Sequence, residues 1–128
     1  MSRRSANVVD SSAWLEYFAD SESAGQFAAV IEDPERLVVP VITLYEVFKK
    51  VFRERGEGAA LQVVSMMQEG QVVDFDVALA LDAARYPLPL ADSLIYATAQ
   101  RHGAILWTQD AHFQDLPGVR YFPKLAAP

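Results

Sequence analysis

Four short β-branched and apolar runs constrain this chain most. They cover residues 7–9, 37–42, 71–75 and 104–108, and helical patterns separate them. A shorter run covers 119–122 after the Pro117-Gly118 turn. Parallel neighbours in a sheet need a crossover connection, and a helix supplies it. Alternation of this kind predicts an α/β fold with a mostly parallel central sheet. Helices on both faces make it three layers, α/β/α.

The first run ends in Val8-Val9-Asp10-Ser11-Ser12. Ser11 or Ser12 is expected to cap the next helix, with Trp14, Leu15, Tyr17 and Phe18 as its apolar surface. Ser23-Ala24-Gly25-Gln26 has capping-box spacing and opens a second helix to about Glu32. Pro40 lacks a backbone donor, so it marks a strand end or an edge. Thr43-Leu44-Tyr45-Glu46 opens a helix running to Gly56. Residues 57–69 form another, ended by Gly70. Asp76 caps a helix through Ala84, and Pro87 and Pro89 force a loop. Residues 91–101 form the last helix, stopped at Gly103. With no repeat, low-complexity segment or linker, residues 1–128 are expected to form a single domain.

The 128 residues are 52% hydrophobic, which is enough for a real core. There is no cysteine, so disulfides and thiolate zinc sites are excluded. No apolar run approaches the ~20 residues of a membrane span, and no apolar core follows Arg3 and Arg4 as a signal peptide requires. A cytoplasmic location is the expectation. The net charge is −6 and the isoelectric point about 4.8. Nucleic-acid binders are usually basic, so an RNA or DNA partner requires local positive charge or metal ions.

Four carboxylates stand at element boundaries. Asp10 ends the first strand, and Glu46 lies just inside the helix after the second. Asp92 starts the helix after the proline loop, and Asp110 follows the Thr108 that ends the fourth strand. In an open parallel sheet, ligands bind at the carboxyl ends of the strands. Carboxylates gathered there repel each other and raise one another's pKa. A hard divalent cation relieves that repulsion. Mg²⁺ and Mn²⁺ prefer oxygen ligands, and one or two such ions support phosphodiester cleavage. Each position also has a plainer reading. Thr43-x-x-Glu46 fits a capping box, Asp92 a charge at a helix N-terminus, Asp110 a turn residue and Asp10 an Asx turn.

Together these segments resemble the PIN-domain family, and within it the VapC-like toxin ribonucleases. The matching stretches are Val8-Val9-Asp10-Ser11-Ser12, Thr43-Leu44-Tyr45-Glu46-Val47, Leu90-Ala91-Asp92-Ser93-Leu94-Ile95-Tyr96-Ala97-Thr98-Ala99 and Leu106-Trp107-Thr108-Gln109-Asp110-Ala111-His112-Phe113. The resemblance implies a Mg²⁺- or Mn²⁺-dependent RNA endonuclease, with Asp10, Glu46, Asp92 and Asp110 around the metal. Thr108 and Ser12 would be supporting polar groups. It also implies an RNA substrate, a homodimer and a small antitoxin that blocks the site, with higher assembly in the complex. Many relatives carry a further Asp where this chain has His112, with Asp115 the nearest substitute.

Lys49, Lys50 and Arg53 lie three, four and seven residues after Glu46, on one helical face. They are candidates for RNA phosphates, with an ordinary solvated face as the competing reading. Arg3 and Arg4 read as a tail, His102 as a helix C-terminal partner, and His112 as a surface-loop histidine rather than a general acid. Three alternatives are a noncatalytic PIN-like protein-binding module, a phospho-acceptor receiver domain and a phosphoryl-aspartate hydrolase. The receiver wants paired acids near the first strand and a late lysine. The hydrolase wants Asp-x-Asp, where this chain has Asp10-Ser11-Ser12.

Overall fold

The computed structural model describes residues 5–125; Arg3 and Arg4 lie outside them. Five strands are present: β1 (Asn7–Val9), β2 (Val38–Pro40), β3 (Gln71–Val73), β4 (Ile105–Thr108) and β5 (Val119–Tyr121). Six helices connect them: α1 (Ser11–Phe18), α2 (Ala28–Ile31), α3 (Val41–Arg55), α4 (Glu57–Met67), α5 (Val77–Ala83) and α6 (Leu90–Arg101). Every paired strand is parallel, in the orders β1-β4-β5 and β2-β3. A parallel bridge from Asn7 to Leu37 joins the two groups. The spatial order is therefore β3-β2-β1-β4-β5, and the chain reverses direction between β1 and β4. That reversal opens the crevice where open α/β sheets bind ligands.

Strand alternation divides the core. Val9 and Val39 face a cluster with Trp14, Phe27, Val47, Ala60 and Met67. Val8 and Val38 face the opposite cluster, with Ile95, Tyr96, Leu106 and Phe113. Successive side chains of a strand point to opposite faces, so two adjacent valines serve two layers. Each fully buried valine contributes about 1.5–3 kcal/mol. The three-layer α/β/α arrangement with a parallel sheet is as the sequence implies.

Several boundaries differ from the sequence reading. Neither Ser11 nor Ser12 caps α1. Asp10 does, accepting from the Ser11 backbone N–H. Ser23 makes no side-chain cap. A 3₁₀ turn at Ala24–Gln26 precedes the short α2, and Ser23 Oγ instead accepts from the Leu125 N–H. Helix α3 begins at Val41, two residues before Thr43, because Pro40 already holds φ −62° as its N-cap. Gly56 ends it at φ +88°, a conformation other residues adopt only with strain. Gly70 is required by space: a Cβ there would lie 2.9 Å from the Leu37 carbonyl oxygen. Among the described residues, no helix is long and apolar enough to cross a membrane.

Candidate active site

The site grows from the ends of β1 and β4. The Asp10 N–H donates to the Trp107 carbonyl at 3.0 Å, which continues the β1–β4 ladder one residue past the strand. Asp10 is thereby fixed at the sheet's carboxyl edge, 3% exposed. Its Oδ1 accepts from the Ser11 N–H at 2.8 Å. Its Oδ2 accepts from Ser12 Oγ at 3.0 Å and from Thr108 Oγ1 at 2.8 Å. Burial pushes the Asp10 carboxyl up to about 6. The Thr108 and Ser12 hydroxyls oppose that rise, and the charges of Asp92 and Asp110 add to it.

Thr108 serves both strand ends. Its hydroxyl donates to Asp10 and accepts the Asp110 N–H at 2.9 Å. Asp110 then caps the 3₁₀ turn Ala111–Phe113, accepting from the His112 N–H at 2.9 Å. The turn reading of Asp110 is thus correct as local structure, and the same turn aims its carboxylate toward Asp92. Asp92 lies in the first turn of α6, whose start is fixed by Pro89 and by Ser93 Oγ donating to the Leu90 carbonyl. Burial raises the Asp92 pKa. The His112 bond lowers it, and the Asp110 charge adds to the rise.

His112 is the surface-loop histidine the sequence implies, with partners the sequence did not show. It is exposed, but its Nδ1 lies 2.8 Å from Asp92 Oδ2 and 3.3 Å from Asp110 Oδ1. The Asp92 bond and the Asp110 charge raise its pKa, favouring the imidazolium. Ligand atoms of Asp92, Asp110 and His112 lie within 4.8 Å of one another, close enough to share one cation. The signal for this was its position two residues past Asp110, where a 3₁₀ turn returns the side chain to the carboxylate.

Glu46 is not the capping-box acid. Thr43 Oγ1 donates to the Pro40 carbonyl, and Glu46 Oε1 accepts from Ser11 Oγ at 2.6 Å. Ser11 therefore joins Glu46 to the Asp10 corner, a role the sequence did not assign. Lys49, Lys50 and Arg53 line a surface groove with Tyr45 and Glu46. Lys50 pairs with Glu54 at 3.1 Å. Asp115 is exposed and makes no hydrogen bond to this cluster among the described residues.

The donor set is carboxylate oxygen with one imidazole nitrogen, in a partly buried crevice. Oxygen-rich sets of this kind fit hard divalent ions such as Mg²⁺ or Mn²⁺. Like-charge contact between Asp10, Asp92 and Asp110 is a cost that a cation removes.

A PIN domain model matches residues 8–119, so the chain belongs to the PIN-domain family. No curated protein matches the sequence. Solved structures with the same fold include a toxin–antitoxin complex from Klebsiella pneumoniae: 22% identity, TM-score 0.78, 93% of this chain and 100% of that one covered. A second is VapC20 from Mycobacterium tuberculosis, described as a sarcin–ricin loop cleaving toxin: 18% identity, TM-score 0.73, coverage 89% and 97%. A third is DNA-bound VapBC from Salmonella typhimurium: 19% identity, TM-score 0.69, coverage 94% and 98%.

Proposed function

We propose that this protein is a divalent-metal-dependent RNA endonuclease and the toxin of a toxin–antitoxin pair. The observation that carries the reading is the convergence of Asp10, Asp92 and Asp110 at the β1/β4 crevice, with Asp10 buried and its pKa raised to about 6. Family membership and the toxins among structures of this fold support it. Asp10, Glu46, Asp92 and Asp110 are the proposed metal-holding and catalytic residues, with Mg²⁺ or Mn²⁺, one ion or two. Such an ion supplies positive charge to the scissile phosphate and lowers the cost of an attacking water and a leaving oxygen.

The chain's own residues do the rest. Thr108, Ser12 and the Ser11 N–H hold the Asp10 carboxylate in one orientation, so it needs no reorganisation during reaction. A bound cation would favour the charged form of this carboxylate, leaving it free to hold the ion and orient a water. Ser11 fixes Glu46 at the rim. Lys49 and Arg53 share a groove with Glu46, which supports their assignment as contacts for RNA phosphates.

The partner assignment follows the same line. A groove of about 260 Å³, lined by Leu15, Phe18, Val51, Ala59 and Val63 with Lys50, Glu54 and Arg55 at its edge, suits an apolar helix of an antitoxin. The protein acts as one domain over residues 1–128, in the cytoplasm, as a homodimer that assembles further with the antitoxin. The alternative is a noncatalytic PIN-like binding module, and His112 lying between Asp92 and Asp110 favours it.

Purified, partner-free protein incubated with mixed cellular RNA tests the reading. Cleavage that requires Mn²⁺ or Mg²⁺ and vanishes in Asp10→Asn is expected. Absence of both cleavage and metal binding would instead establish the binding module.

A further inference from the structure

Tyr45 has no evident folding role. It is 58% exposed on α3, between the buried Thr43 and Val47. Tyrosine is a mediocre helix former, so an exposed one gains α3 little. Among the described residues its ring packs on no other aromatic ring, whereas Phe48 and Phe52 on the same helix stack at 5.6 Å. Its surroundings are polar and cationic. Tyr45 lines the groove with Glu46, Lys49, Lys50 and Arg53. Lys49 Nζ lies 5.6 Å from the ring centroid and 3.4 Å from the phenol oxygen. Among the described residues, Lys49 and Arg53 have no carboxylate within 4.0 Å, while Lys50 is neutralised by Glu54. In a chain of net charge −6, two unpaired cations beside an exposed ring make a local exception.

We propose that Tyr45 is the stacking platform for one base of an unpaired RNA strand, with Lys49 and Arg53 on the adjoining phosphates. An aromatic face flanked by cations is how proteins hold single strands without reading their sequence. Tyr45 lines one groove with Glu46, whose carboxylate is tied through Ser11 to the Asp10 corner, so the groove leads from the ring toward the acidic crevice. Lys49 swings from the ring edge to a phosphate as the base arrives. The proposal rests on the nuclease reading and adds to it the strand's point of entry.

The test uses the Asp92→Asn protein, so that substrate is not consumed. The probe is a fluorescein-labelled, mixed-sequence, unpaired RNA of about twelve nucleotides, compared with an abasic oligomer of equal length. Tyr45→Ala should weaken binding of the base-bearing probe about tenfold and leave the abasic probe unaffected. Tyr45→Phe should restore most of the loss, because stacking needs the ring and not the hydroxyl. Lys49→Ala and Arg53→Ala should lower the salt slope for both probes, which Tyr45→Ala should not do. Unchanged base preference in Tyr45→Ala on the Asp92→Asn background, with metal-dependent cleavage by the wild-type protein, would overturn the stacking role alone. A wild-type protein that neither binds nor cleaves RNA would overturn both readings.

Discussion

Thr108 Oγ1 donates to Asp10 Oδ2 at 2.8 Å, joining residues 98 positions apart in the chain. Both side chains are buried, and the same hydroxyl accepts the Asp110 N–H. One oxygen therefore fixes the carboxylate at the end of β1 and the turn that carries the carboxylate after β4. Thr108→Val keeps the shape and removes the hydroxyl. It leaves Asp10 one donor short and strands the Asp110 N–H. The expected cost is about 1–3 kcal/mol at neutral pH, since a buried group loses its partner. Thr108→Ser should recover most of it. Denaturant unfolding of the three proteins checks this, and a neutral result for Thr108→Val would mean that water replaces the hydroxyl.

Asp10 makes its own contribution to the pH dependence of the metal-free fold. Its carboxyl titrates near 6 in the folded chain, against about 4 when unfolded. Below the lower value both states are protonated and Asp10 has no effect on stability. As pH rises from about 4 to about 6, the unfolded chain releases the proton while the folded chain retains it, so stability falls. Above the folded value the penalty is complete, at roughly 3 kcal/mol as an upper figure. Asp10→Asn should flatten this fall and raise Tm at neutral pH, even as it abolishes cleavage. Thermal unfolding across that range in a chelating buffer decides the matter. A Tm difference between wild type and Asp10→Asn that stays constant with pH would contradict the assignment.

The sheet, its parallel sense and the carboxylates at strand ends were legible because they rest on local periodicity and on where polar residues interrupt it. Val8 and Val9 announce a strand buried on both faces, and Asp10 announces its end. What the sequence concealed is tertiary. Thr43 and Glu46 have capping-box spacing, but Pro40 starts the helix earlier and moves both residues into its body. Glu46 then finds Ser11, 35 residues away, a contact no local pattern encodes. Ser11 looked like a cap, but Asp10, one residue earlier, already accepts its N–H. The exposed His112 read as a surface residue because exposure says nothing about which carboxylates a short turn brings alongside.

His112 supplies a third expectation, for metal affinity. Its imidazolium holds Asp92 and Asp110 together, and the pKa of the ring is raised by that contact. The ring must lose this proton before its nitrogen can join Asp92 and Asp110 around a divalent ion. The imidazolium is fully present below the ordinary histidine value of about 6.5 and is lost as pH rises through the raised one. Mn²⁺ affinity should therefore climb steeply over that interval. His112→Ala should show a shallower climb and bind Mn²⁺ less tightly than the wild type once the imidazole is neutral. Calorimetric titration at several pH values measures it. Identical slopes for the two proteins would place the histidine outside the metal equilibrium.

The last expectation concerns self-association. Helix α5 presents Val77 and Leu81 one turn apart on its outer face, 75% and 60% exposed. Leu90, at the start of the adjoining α6, is 77% exposed, and Phe75 just before α5 is also open. Leu79 and Ala83 on the same helix are buried against Leu94 and Ala97, so α5 is apolar on both sides. Exposed apolar residues gathered on one helix face mark a surface for a partner, although Asp82 on the same helix pairs with Arg85. The acidic cluster lies elsewhere, so this face can be charged without touching the proposed chemistry. A double change, Val77→Glu with Leu81→Lys, should leave the core side of α5 intact and convert a dimer into a monomer in sedimentation equilibrium. The monomer should keep its thermal transition only if the fold does not depend on pairing. A wild-type chain that sediments as a monomer at every concentration would remove the homodimer from the proposal. It would also leave this face to a different partner.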